Sequence, residues 1–69
     1  QYQILGLAVF TTGGESLGRI TDILPTGSND VYVVRGEDSE VLLPAISQVI
    51  REIDVAGGRM VVELMEGMR

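Results

Sequence analysis

The hydrophobic pattern is clearest at residues 31–34, where Val31, Tyr32, Val33 and Val34 form an unbroken β-branched and aromatic run. Such side chains fit a pleated surface, so the run predicts a strand. Side chains alternate across a strand, so Val31 and Val33 point one way and Tyr32 and Val34 the other. Both faces are apolar, which predicts a central strand with one face in the core. The other face then needs cover from a chain terminus or a partner. Turn formers bracket the run, with Gly27, Ser28, Asn29 and Asp30 before it and Gly36, Asp38 and Ser39 after it.

The same punctuation divides the rest of the chain. Residues 7–11 are rich in strand formers, and Gly13-Gly14 predicts a hairpin turn after them. Residues 17–24 follow, apolar at Leu17, Ile20, Ile23 and Leu24. That spacing alone fits a helix. Gly18 and Thr21 weaken a helix, and the neighbouring segments are strands. The reading is therefore a strand with a bulge or strong twist. Pro25 ends it. Residues 40–43 predict a fourth strand, stopped by Pro44, and residues 45–48 fit one helical turn. Residues 49–55 alternate if Val49, Ile53 and Val55 face inward, with Arg51 as the exception. Gly57-Gly58 predicts a second hairpin turn containing a positive φ. Residues 59–64 predict a sixth strand. Six short strands and few other elements make an all-β domain, a small six-stranded barrel or sandwich with at most one short helical turn. The expected core includes Ile20, Val31, Val33, Leu42, Ile53 and Val62.

Composition narrows the function. The chain has 69 residues and no Cys, so it is one domain without disulfide or thiolate support. Its net charge is −5, it has neither Lys nor His, and Arg19, Arg35, Arg51, Arg59 and Arg69 are scattered along it. Phosphate-backbone binding needs clustered cations, so strong nucleic-acid binding is not expected. The acidity fits a basic partner, or simply solubility. Without His or Cys, the usual general base and the strongest nucleophile are missing, so no enzyme and no catalytic residue is expected. Asp30, Asp38 and Glu40 lack the spacing of a Ca²⁺ loop, and neither Gly-Gly pair sits in a phosphate-loop pattern. No metal or cofactor is expected. No stretch is long and apolar enough to span a bilayer as a helix, which sets a cytoplasmic expectation. The first residue, Gln1, is not Met, which predicts a piece of a longer protein.

Four stretches together resemble a known family. Residues 6–10 and 14–24, from Gly6-Leu7-Ala8-Val9-Phe10 and Gly14-Glu15-Ser16-Leu17-Gly18-Arg19-Ile20, resemble a PRC barrel. Thr26-Gly27-Ser28-Asn29-Asp30-Val31 and Leu42-Leu43-Pro44-Ala45-Ile46 narrow the resemblance to the C-terminal PRC-barrel domain of the RimM family. It covers nearly the whole chain. The resemblance implies a non-enzymatic factor in ribosome maturation, assisting assembly of the small-subunit head and processing of its RNA. It implies as partners the small subunit, its basic nineteenth protein, and an N-terminal domain of the same protein. A stand-alone or reaction-centre-type PRC-barrel module is the alternative.

On this basis residues 1–5 are a linker segment, residues 6–64 the barrel and residues 65–69 a tail. Candidate partner contacts are Tyr2, near the family's linker aromatics, Tyr32, and the apolar end formed by Leu64, Met65 and Met68. Glu66 stands where the family usually has Pro.

Overall fold

The computed structural model describes residues 4–25 and 27–64. The strands are β1 (Ala8–Thr11), β2 (Ser16–Pro25), β3 (Asp30–Arg35), β4 (Glu40–Pro44), β5 (Ile50–Asp54) and β6 (Arg59–Val62). They form one six-stranded sheet in the order β4-β3-β2-β1-β6-β5. Neighbours pair antiparallel except β1 and β6, which run parallel. Side chains from both ends of the sheet meet in one core: Val41 and Leu43 from β4, Met60 and Val62 from β6, and Val49 just before β5. The sheet therefore curls on itself, which is the barrel the strand pattern predicts. Residues 45–49 form no helix. Their one α-type bond runs from the Ile50 N–H to the Ile46 carbonyl at 2.9 Å.

Bulges reconcile the irregular apolar spacing of β2 with a strand. Opposite β1 the register skips Leu17, and opposite β3 it skips Thr21. Each extra residue shifts the alternation by one. Leu17 and Ile20 are thereby buried and Ile23 packs against the same core, although they stand three residues apart. A third bulge, at Arg51 in β5, has the same effect. Arg51, the exception in the alternation, is the inserted residue, and its guanidinium pairs with Glu63. The second hairpin closes as expected. The Gly58 N–H donates to the Val55 carbonyl at 3.1 Å, with a φ of 74° at Gly58. The Gly57 N–H donates to Asp54 Oδ1 at 2.8 Å.

Three core expectations need correction. On β3 the core face carries Tyr32 and Val34, while Val31 and Val33 lie on the opposite face. Val33 is 5% exposed and so buried as expected, whereas Val31 is only half-buried. On β4 the inward residues are Val41 and Leu43, at 5% and 0% exposure, whereas Leu42 is 52% exposed. Apolar residues are adjacent in both strands, so composition does not choose the face and register does. Ile53 shares register with the buried Met60, but it sits on an edge strand with no further strand to cover it, and is 44% exposed. Ile20 and Val62 are buried as expected. Both sheet edges are blunted against further pairing, β4 by its terminal Pro44 and β5 by its bulge and charges.

Candidate functional site

The outer face of β2, β3 and β4 is built from three rungs. Leu24, Val31 and Pro44 are aligned across the three strands in the first, and Asp22, Val33 and Leu42 in the second. Arg19, Arg35 and Glu40 make the third. The rungs between them, Ile23-Tyr32-Leu43 and Ile20-Val34-Val41, face the core. The outer face thus has an apolar part, in which Val33 is already buried at 5% exposure, and a charged part at one end. Leu24 and Leu42 are its exposed members, and Val31 and Pro44 are half-buried. A lone exposed leucine is ordinary, whereas a large contiguous apolar patch is a candidate contact surface. Asp22 supplies an acidic edge to the patch, and Arg35 Nε donates to Glu40 Oε2 at 2.8 Å.

Of the predicted contact residues, the structure describes Tyr32 and Leu64. Tyr32 belongs to the core cluster at 8% exposure, so its ring fills the barrel instead of offering open surface. Leu64 is half-buried against that same cluster. Tyr2, Met65 and Met68 lie outside the described residues. Leu24, Val31, Leu42 and Pro44, which the outer face brings together, were not among the predicted contacts. Their signal was present in the double-sided apolar runs of β3 and β4, which leave one face needing cover.

Burial raises the Tyr32 phenol above its ordinary value of 10.0, and the Asp30 carboxylate adds to the effect. Both oppose tyrosinate formation in the folded state. A raised folded value stabilises the fold fully below the unfolded pKa, and this stability is lost as pH rises through the folded value. In a Tyr2→Phe chain, the ultraviolet titration midpoint of Tyr32 is expected to lie above that of the same chain in denaturant. Coincident midpoints would contradict the buried placement of Tyr32.

Among the described residues, no group of three or more His, Cys, Asp or Glu is placed to hold a metal ion. None of their helices is long and apolar enough to cross a membrane.

Residues 2–68 match the family model of the RimM PRC barrel domain. This chain belongs to the RimM PRC-barrel family. It is 56% identical over 69 residues to the ribosome maturation factor RimM of Moorella thermoacetica, covering 99% of this chain and 39% of that protein. It is 49% identical over 65 residues to the same factor of Caldanaerobacter subterraneus, covering 94% and 39%. A crystal structure from Pseudomonas aeruginosa, described as a 16S ribosomal RNA processing protein RimM, superposes with a TM-score of 0.89 at 40% identity. That alignment covers 93% of this chain and 42% of the crystallised one. The match favours the RimM reading over a reaction-centre-type module. The chain spans about two fifths of the length of these relatives.

Proposed function

We propose that this chain is the protein-docking domain of a ribosome maturation factor. It binds the basic nineteenth protein of the small subunit, and through it assists head assembly and small-subunit RNA processing in the cytoplasm. The domain performs no chemistry of its own. Residues 6–64 are the folded module, joined by residues 1–5 to an N-terminal domain, with residues 65–69 as a tail. The observation that carries this reading is the pair of exposed leucines, Leu24 and Leu42, beside the half-buried Val31 and Pro44 on the outer face of β2–β4 of a chain of net charge −5. Apolar anchors at the centre of a contact hold the complex, while long-range charge speeds encounter and discriminates among partners. Leu24 and Leu42 are the anchors. Tyr2, Leu64, Met65 and Met68 form a second candidate set at the chain ends, for the same partner or the N-terminal domain.

The test is calorimetry and stopped-flow binding with the ribosomal protein. Leu42→Asp and Leu24→Asp are expected to raise the dissociation rate at least about tenfold, the effect of losing roughly 1.4 kcal/mol of a buried contact. Both residues are exposed, so each variant keeps its fold by circular dichroism. Added salt slows association more than it speeds dissociation. Unchanged dissociation rates in both folded variants would move the interface off this face.

A further inference from the structure

The charged end of the same face has a feature that protein docking does not use. Arg19 and Arg35 are direct cross-strand partners. Like charges opposite one another destabilise a sheet. This chain has only five strong cations, yet two of them are placed side by side. They line an open groove of about 700 Å³ together with Ser16, Thr21, Ser39 and Glu37. The backbones that carry them run unusually close. A Cβ on Gly18 would lie 2.1 Å from the Arg35 carbonyl oxygen, and one on Gly36 would lie 3.0 Å from the Leu17 carbonyl oxygen. The floor is thus main chain, and the two arginines reach from it to partners on opposite sides, Arg19 to the Gly6 carbonyl and Arg35 to Glu40 on β4.

The donors of this groove are only partly used. Arg19 gives one terminal N–H to the Gly6 carbonyl at 3.1 Å, a neutral acceptor that leaves its charge uncompensated. Among the described residues Arg19 has no ion pair. Arg35 gives its Nε to Glu40, which leaves both terminal nitrogens as donors in a planar fork suited to an oxyanion.

We propose that the Arg19–Arg35 groove binds one phosphate group of the RNA backbone, with Arg19 as the principal cation. A phosphate offers several acceptor oxygens to donors that here come from two strands and the turn at residues 36–39. The choice of RNA as the source rests on the ribosome reading above. The oxyanion site itself does not. Binding is weak, because one phosphate is contacted and both Glu37 and Glu40 lie near it. That agrees with poor overall affinity for naked RNA and assigns the contact to the assembled particle, where protein docking holds the RNA close.

The experiment titrates the isotope-labelled chain with inorganic phosphate, with a short single-stranded oligoribonucleotide and with a glutamate-rich peptide, followed by nuclear magnetic resonance. Phosphate and the oligonucleotide are expected to give saturable shifts at Gly18, Arg19 and Gly36, and the peptide none. The salt dependence of oligonucleotide binding should correspond to about one phosphate, a logarithmic slope near −0.7 for a single strand. Arg19→Gln abolishes the saturable shifts, Arg19→Lys retains the salt slope, and Glu37→Gln tightens binding. Leu42→Asp leaves all of this unchanged, so failure of the docking reading and failure of this one are distinguishable. Shifts spread equally over Arg51 and Arg59, or unaffected by Arg19→Gln, would overturn the site. Phosphate binding without oligonucleotide binding, or stronger binding of the peptide, would overturn RNA as its ligand.

Discussion

Leu43→Ala is expected to lower stability by about 2–5 kcal/mol, the range for truncating a fully buried leucine. Leu43 is 0% exposed, and its cross-strand neighbour is the core-facing Tyr32. The loss combines transfer free energy with the cavity left in a core of about a dozen side chains. For a domain this small, such a change lowers the thermal midpoint by roughly 10–30 °C and brings the chain close to unfolding. The adjacent Leu42→Ala should cost less than about 1 kcal/mol, because its side chain already meets solvent. Thermal melts of the two variants compare the two faces of β4 directly. Equal losses, or a larger loss at Leu42, would mean that the strand is turned the other way.

Gly18→Ala is the second large effect expected. Gly18 has a φ of 120°, a region that side-chain-bearing residues rarely adopt. The new methyl would also lie 2.1 Å from the Arg35 carbonyl oxygen, a fixed main-chain atom. Backbone strain and overpacking each cost on the order of 1–3 kcal/mol. Relief requires β2 and the end of β3 to separate, which also opens the arginine groove. Gly13→Ala is the control, since its methyl would make only an ordinary 3.7 Å contact with Thr11 Oγ1. Denaturant unfolding should show a clear loss for Gly18→Ala and little for Gly13→Ala. Similar midpoints for the two would contradict the close approach of β2 to β3.

The number of strands and their places along the chain were legible because turn residues punctuate it. The Gly-Gly hairpins, Pro25 and Pro44 each act locally, and local chemistry is what a sequence displays. The helical spacing of Leu17, Ile20 and Ile23 was readable as a bulged strand for the same reason, since helix-weakening residues stand between them. The choice of face was not legible. Val31 and Tyr32, or Leu42 and Leu43, are all apolar, so the pattern permits either register. What decides is how many bulges intervene, and their positions depend on partner strands. Ile53 illustrates another limit. It shares the core-side register with Met60, yet exposure follows from β5 being an edge. The parallel pairing of β1 with β6 carries no local signal, because it joins strands about fifty residues apart.

The outer face of β2–β4 was legible only in outline. Apolar residues on both sides of β3 require cover for the outer side, but its composition depends on β2 and β4 lying beside it in register. The ring of Tyr32, a predicted contact, belongs to the core, and Val33, buried as expected, is buried from the outer side.

The central claim is that the outer face of β2–β4 docks a basic ribosomal protein. Hydrogen–deuterium exchange of the chain with and without the nineteenth small-subunit protein tests it most directly. The account predicts added protection in residues 22–24, 31–33 and 42–44, with β5 and the Val55–Gly58 turn unchanged. Protection confined to β5, β6 and that turn, with residues 31–33 and 42–44 unaffected, would contradict it.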